Sequence, residues 1–173
     1  MELRPYSLAE NYLLVHFVGI EGRSWFAVSA AEAERVVEIL CFHEEDVPPV
    51  WIKLSLADGS IALLSRDHIS MLTHTYEFWP AEGPPERGVY GVPVSEEQAG
   101  ALDWAPVQLA IAVEELGILD FHDQTSESAD TIPDTVMDGF IFAPFVSFTD
   151  DDGERTVVAT ERIAFVVVHP SVL

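Results

Sequence analysis

Three segments of the chain share one pattern of apolar and polar positions. Each has an apolar run, an acidic residue followed by glycine, a second apolar run, and then serine or threonine. The segments are residues 13–40, 50–74 and 145–170, and their acidic pairs are Glu21-Gly22, Asp58-Gly59 and Asp152-Gly153. Glycine reaches the positive φ angles of tight hairpin turns without a Cβ penalty. The pattern therefore predicts an Asp/Glu-Gly hairpin repeated three times, either through duplication or because hairpins are common.

The second segment shows the strand pattern most clearly. Alternate positions place Trp51, Lys53 and Ser55 on one face of the predicted strand and Ile52, Leu54 and Leu56 on the other. A turn and a third strand are predicted to follow. Over residues 50–72 this strand-turn-strand pattern resembles that of small SH3-like or Sm-like barrels, which implies a strongly bent antiparallel sheet.

Helices are predicted in three places. Residues 29–40 and 95–104 each open with serine and carry Glu or Gln three residues later, which is the spacing of a capping box. Residues 106–117 begin with proline and end at glycine, which predicts a third short helix. The next stretch, up to Gly139, is rich in Asp, Ser and Thr and contains Pro133. It predicts a long acidic surface loop.

These elements predict an α+β, β-rich fold. Strongly bent antiparallel sheets or small barrels would be built from the repeated Asp/Glu-Gly hairpins, with two or three short helices packed on them. Residues 1–79 would form an N-terminal β-rich unit with two hairpin repeats and one helix. Residues 80–139 would hold a Pro/Gly linker, short helices and the acidic loop. Residues 140–173 would form a C-terminal hairpin repeat packed with the rest.

Composition points to a cytoplasmic protein without a membrane partner. Hydrophobic residues make up 49% of the 173 residues, enough for a core. No apolar run approaches the roughly 18 to 20 residues that cross a bilayer, and the N-terminus lacks the basic-then-apolar pattern of a signal peptide. The single cysteine, Cys41, rules out an internal disulfide.

The net charge of the chain is the strongest indication of what kind of partner it binds. Thirty acids face eight bases, for a formal net charge of -22. Such a surface repels nucleic acid and anionic lipids and favours a basic protein partner. Residues 88–154 contain fifteen acids and no Lys or Arg. A general solubility adaptation would spread the charge more evenly, so this asymmetry favours a dedicated acidic face.

The candidate partner-binding residues lie in that base-free stretch. Six acids between 120 and 138 are spaced three or four residues apart, so that they would form one negative stripe on a helix and a solvated carboxylate track on a loop. Asp150 and Asp151 would be free carboxylates, because Asp152-Gly153 is assigned to the turn. Trp104 lies in an irregular region and would mark an interface if exposed. The candidates are Asp120, Asp123, Glu127, Asp130, Asp134, Asp138, Asp150, Asp151 and Trp104.

No metal, cofactor or catalytic residue is predicted. Around Asp150 a calcium loop would need ligands at Phe148 and Ala159, which cannot supply them. Cys41 and His43 lack the second ligand pair of a structural zinc site. The sequence contains neither a Gly-x-Ser-x-Gly elbow nor a phosphate-binding glycine loop.

The leading hypothesis is a non-enzymatic, strongly acidic protein-binding module. It would engage a basic partner by electrostatic occlusion, with a DNA-mimic-like inhibitor or regulator of a nucleic-acid-binding machine as one form. One alternative is a small β-barrel assembly module that forms a homo-oligomer through hairpin edges. Another is a small enzyme with an unrecognised site.

Overall fold

The structure, a computed structural model, describes residues 9–41, 49–76, 88–102, 105–150 and 152–173. The strands and helices follow one another in this order: β1 Tyr12–Phe17, β2 Ser24–Ala27, α1 Ala30–Cys41, β3 Trp51–Ser55, β4 Ile61–Ser65, β5 Ile69–Thr75, β6 Val89–Tyr90, α2 Glu96–Leu102, β7 Leu109–Val113, β8 Gly117–Phe121, α3 Ile132–Asp138, β9 Phe145–Thr149, β10 Arg155–Ala159 and β11 Ile163–Val168. Two short 3₁₀ helices, Arg66–His68 and Thr160–Arg162, lead into β5 and β11. The chain is therefore α+β and sheet-rich, with three α-helices in its described part.

A five-stranded antiparallel sheet forms the middle layer, with strand order β3-β4-β11-β7-β8. Its central strand, β11, is buried at all six positions. Residues 1–79 contribute β3 and β4, residues 80–139 contribute β7 and β8, and residues 140–173 contribute β11. All three predicted units thus share one sheet, and the division into units stays a prediction.

A four-stranded sheet with the order β5-β1-β2-β6 packs on one face of the middle sheet. Leu13, Val15 and Phe26 from this outer sheet meet Leu54 and Phe165 from the middle sheet in a common core. Helix α1 adds Ala33 and Val36 to the same core. The capping signal at its N-terminus is present, because the Glu32 backbone N–H donates to Ser29 Oγ at 3.2 Å.

The opposite face of the middle sheet is covered by the β9-β10 pair and by α3. Val146 and Phe148 from β9, with Ile132 and Val136 from α3, pack in a second core against apolar side chains of the middle sheet that include Ile111. The fold therefore has three layers around two apolar clusters. Among the described strands, none of the three sheets closes into a barrel, and the threefold recurrence of one hairpin stays a prediction.

The helix predicted over residues 106–117 was wrong. Strand β7, the following turn and the start of β8 occupy this stretch. Leu109–Val113 is buried at every position, because β7 lies between β11 and β8 with a layer on each face. A strand buried on both faces shows a continuous apolar run, which periodicity cannot distinguish from a buried helix. Gly117 has a positive φ of 88°, but in a hairpin connection and not at a helix end.

In the described ranges, no helix combines the length and the apolar character needed to traverse a lipid bilayer.

Candidate protein-binding surface

Helix α3 presents two carboxylates on its solvent side. Ile132, Pro133 and Val136 are buried, and Asp134 and Asp138, one helical turn apart, are exposed. The sequence predicted a loop here because the stretch is rich in Asp, Ser and Thr and contains Pro133, yet proline suits the first turn of a helix. Burial of the i, i+4 pair Ile132 and Val136 favours the helix.

The C-terminus of α3 is capped by the backbone of Gly139 and by the side chain of Lys53. Gly139 adopts φ 82° and ψ 12°, and its N–H donates to the carbonyls of Thr135 and Val136. Lys53 Nζ donates to the Met137 carbonyl oxygen at 2.7 Å. The cation lies at the negative end of the helix dipole, so it both caps the helix and fixes its orientation on the sheet.

The loop between β8 and α3 is ordered by a buried amide. Gln124 is 5% exposed, and its Nε2 donates to the Thr149 carbonyl at 3.0 Å while its Oε1 accepts from Ser128 Oγ at 3.1 Å. The surrounding residues Asp123 and Glu127 are exposed. Of the stretch predicted as an acidic loop, only residues 122–131 between β8 and α3 form a loop. This loop is tied to β9 and presents these carboxylates from a fixed backbone.

Two other predicted site residues serve the fold through hydrogen bonds or ion pairs. Asp120, on β8, accepts from the Tyr90 hydroxyl at 2.9 Å. Asp130 has a positive φ of 56° and accepts from Ser147 Oγ and from Arg155 Nη2, the latter at 3.0 Å. The predicted single stripe is therefore divided among a strand, a loop and a helix.

Asp150 is not the free carboxylate that the sequence predicted. Its Oδ1 accepts the backbone N–H groups of Asp152, at 3.1 Å, and Glu154, at 2.8 Å. The assignment of the turn-forming aspartate to position 152 was therefore incomplete, because an aspartate at the start of a turn bonds backbone two residues ahead. Asp151 and Trp104 lie outside the described residues. No group of three or more His, Cys, Asp or Glu in the described ranges is placed to hold a metal ion.

An exposed apolar segment runs from the end of α3 into the residues that follow it, and it was not predicted from the sequence. Met137 is 53% exposed, Phe142 is 87% exposed and Phe145 is 58% exposed. The rings of Phe140 and Phe142 meet edge-to-face with centroids 4.1 Å apart. The signal was present in the sequence as "GFIFAPF", three phenylalanines within six residues and between acidic stretches.

This segment forms one wall of a cleft of about 510 Å³. Trp51 and Ser65 line its floor, and the two 3₁₀ helices contribute Asp67 and Glu161. Thr160 fastens the wall, because its Oγ1 donates to the Ala143 carbonyl at 2.6 Å and its N–H donates to the Pro144 carbonyl at 2.9 Å. The cleft therefore joins an exposed aromatic wall to an acidic rim on a fixed backbone.

A serine and a histidine meet at this cleft. Ser65 Oγ lies 2.8 Å from His68 Nδ1. The Ser65 side chain is buried, and the pair spans only the first turn of the 3₁₀ helix that begins at Arg66. The neighbouring carboxylate of Asp67 pairs with Arg66 at 2.9 Å and so does not orient the imidazole. This geometry fits a local contact that secures the turn.

A larger cleft of about 730 Å³ lies on another side of the molecule, between Asp58, residues 92–99 and His169. Its described lining contains no Phe, Tyr or Trp. Aromatic anchors dominate binding energy at protein interfaces, so the smaller cleft beside Phe142 is the stronger candidate.

Helix α1 carries a glutamate, Glu32, that has both charged and backbone partners. Glu32 accepts from Arg35 at 2.7 Å and from the Ser55 backbone N–H at 2.8 Å, and Arg35 in turn donates to the Lys53 carbonyl. Burial favours a higher pKa for Glu32, but the hydrogen bonds from Arg35 and Ser55, with the Arg35 charge, outweigh it and hold the pKa below its usual range. The hydrogen bond to Glu32 raises the pKa of Arg35.

No family model matches the chain, and no curated protein and no solved structure matches it significantly.

Proposed function

We propose that the chain is a non-enzymatic protein-binding module that engages a basic partner surface by electrostatic occlusion. The contact surface is the acidic surface formed by Asp123, Glu127, Asp134 and Asp138. One observation carries the proposal: all four carboxylates are exposed, and none of them forms an ion pair with a Lys, Arg or His in the described part of the chain. By contrast, Glu32, Asp67, Glu114 and Asp130 each have an arginine partner.

The acidic surface stands on supported backbone. Lys53 and Gly139 fix the end of α3, and Gln124 fixes the loop that carries Asp123 and Glu127. A carboxylate array held in place loses little conformational freedom when it binds, which favours affinity. This support is a reason to favour a dedicated surface over a general solubility adaptation.

The partner class follows from charge. A net charge of -22 disfavours direct contact with nucleic acid or anionic lipid. It favours a protein whose own ligand is an anion, and a nucleic-acid-binding machine has such a basic groove. A DNA-mimic-like inhibitor or regulator in the cytoplasm therefore belongs to the proposal.

Paired charge variants test it. The quadruple variant Asp123→Asn, Glu127→Gln, Asp134→Asn and Asp138→Asn removes four charges from the acidic surface. A matched control removes four exposed carboxylates elsewhere, through Glu10→Gln, Glu21→Gln, Glu34→Gln and Glu38→Gln. Both proteins have the same net charge, so only the position of the lost charges differs.

Immobilised wild-type protein, quadruple variant and control are exposed to extract of the native host, and retained proteins are eluted with rising salt. We expect a basic protein that wild type and control retain, that the quadruple variant loses and that elutes between about 50 mM and about 300 mM NaCl, where screening grows strong. Equal retention by the quadruple variant, or retention independent of salt, would refute the proposal.

A second candidate is self-assembly through strand edges, with the Asp/Glu-Gly hairpins as repeated assembly units. Strand β5 is seven residues long, and β1 is its only neighbour among the described strands. Its residues Ser70, Met71 and Thr73 are exposed. An edge of this length can pair with a second copy. Light scattering at high concentration tests it: a dimer abolished by Ser70→Pro supports the candidate, and a strict monomer refutes it.

A further inference from the structure

The cleft beside α3 offers both halves of an amphipathic binding site. Its wall exposes Phe142 and Phe145, and its floor at Trp51 is continuous with the second core. Soluble proteins seldom leave large aromatic side chains grouped on the surface unless the group binds something. An aromatic wall over a core-lined floor gives an apolar side chain of a partner a place to be buried.

The charge at the rim of the cleft indicates which charge a bound partner would carry. Glu161 lines the cleft and forms no ion pair in the described part of the chain, whereas the Asp67 carboxylate on the same rim is paired with Arg66. No Lys or Arg is among the described lining residues. Asp134 and Asp138 stand on the helix that leads directly into the aromatic wall. A partner segment that fills the cleft therefore meets carboxylates around its apolar anchor, and positive charge on that segment is favoured.

We propose that this cleft binds a basic amphipathic segment of the partner, inserting one large apolar side chain against Phe142 and Phe145 while Lys or Arg residues face the acidic rim. The inference rests on the proposed function and adds to it an apolar anchor point. Electrostatic attraction then raises the association rate, and burial of the aromatic wall lowers the dissociation rate.

The cleft is prepared for such a ligand before binding. Thr160 holds the carbonyls of Ala143 and Pro144, so the wall does not have to be ordered at the moment of association. Binding in this geometry resembles the placement of an amphipathic helix in a groove, where apolar anchors recur at helical spacing.

Synthetic peptides supply the probes. The first, about 14 residues long, carries Leu at i, i+3, i+4 and i+7 and Lys at the remaining positions. The second has the same lysines with Ser in place of Leu. The third keeps the leucines with Gln in place of Lys. Fluorescence anisotropy of labelled peptides measures the dissociation constant of each with wild-type protein and with variants.

The test variant is Phe142→Ala with Phe145→Ala, both at exposed positions, and urea unfolding confirms that it folds as wild type does. The control is Leu116→Ala, an apolar side chain that is 74% exposed in the turn between β7 and β8, far along the chain from the cleft residues. We expect wild type and control to bind the first peptide about ten-fold more tightly than the second or third, as loss of an interface anchor typically costs that much or more.

The outcomes test the cleft inference separately from the proposed function. If Phe142→Ala with Phe145→Ala removes the advantage of the first peptide and leaves binding of the second unchanged, the cleft inference is supported. If that variant binds all peptides as wild type does, the cleft inference fails, and the proposed function still stands on the charge variants. If light scattering shows that wild type self-associates and the double variant does not, the occupant is a second copy and the inference is overturned.

Discussion

Lys53 Nζ donates to the carbonyl oxygen of Met137 at 2.7 Å and so joins two residues that lie 84 positions apart in the chain. Lys53 is the only lysine in the protein. It connects edge strand β3 to the C-terminus of α3, the helix that carries Asp134 and Asp138. Through this bond one cation helps to hold α3, and with it Asp134 and Asp138, on the sheet.

Lys53→Met should lower the free energy of unfolding by about 1 kcal/mol, because it removes a charged donor from the end of a helix. Methionine keeps an aliphatic stem beside Gly139, whose added Cβ would lie 3.5 Å from Lys53 Cδ. Urea denaturation measures the change. Lys53→Arg, which keeps the charge, should recover most of the loss; if Lys53→Met is as stable as wild type, the tie contributes nothing.

Glu32→Gln should destabilise the protein by about 1 to 2 kcal/mol at pH 7, since it weakens charged hydrogen bonds to Arg35 and to the Ser55 N–H. The folded-state pKa of Glu32 is lowered. Its stabilisation is therefore fully present above the unfolded pKa of about 4.3 and is lost as the pH falls through the lower folded value.

Urea unfolding of wild type and Glu32→Gln across the acid range checks this sign. The difference in stability should be constant from neutral pH down to about pH 5 and should shrink below about pH 4. Glu34→Gln, an exposed neighbour on α1, is the control and should match wild type. A gap that widens in acid would contradict the assignment.

Gly91→Ala should be far more damaging than Gly22→Ala, although both glycines have positive φ, 77° and 83°. A Cβ at Gly91 would lie 2.5 Å from Leu56 Cβ and 3.0 Å from the Ala27 carbonyl, whereas a Cβ at Gly22 meets nothing within 4 Å. We expect about 1 kcal/mol for Gly22→Ala from conformation alone and about 3 kcal/mol or more for Gly91→Ala from the added clash. Equal thermal unfolding midpoints for the two variants would contradict the close approach at Gly91.

Gln124→Ala should loosen the loop that carries Asp123 and Glu127. The change leaves the Thr149 carbonyl without its donor, at a cost of about 1 to 3 kcal/mol for a buried polar group. Hydrogen exchange at residues 125–131 should accelerate more than exchange in β7 or β11. Ser126→Ala, at an exposed position in the same loop, is the control. Unchanged protection in Gln124→Ala would show that other contacts order the loop.

Local signals in the sequence were sufficient to predict where α1 and α2 begin. Ser29 with Glu32, and Ser95 with Gln98, mark the starts of α1 and α2, and in both helices the serine hydroxyl accepts a backbone N–H. Each such signal acts within a few residues and does not depend on distant packing. Glu32 shows the limit, because its carboxylate bonds Ser55 on another element.

Structural features that depend on tertiary packing could not be predicted from the sequence. Leu109–Val113 is a strand because two layers bury it, and α3 exists because Ile132 and Val136 fit the middle sheet. The acidic surface was predicted in part: Asp123, Glu127, Asp134 and Asp138 are exposed, but Asp130 turns to an arginine that lies 25 residues away. The spacing of acids along the chain does not show which of them will meet an arginine in the folded protein.

The Glu32–Arg35 pair occupies the outer edge of β3, where the Ser55 N–H and the Lys53 carbonyl would otherwise face a neighbouring molecule. Net repulsion between copies vanishes near the isoelectric point of about 4.2. The pKa of Glu32 is lowered, so the pair covers this edge further into acid than a glutamate with an ordinary pKa would, and the edge opens when Glu32 becomes protonated. Intermolecular β-sheet aggregation through β3 should therefore begin only once the pH is low enough to protonate Glu32.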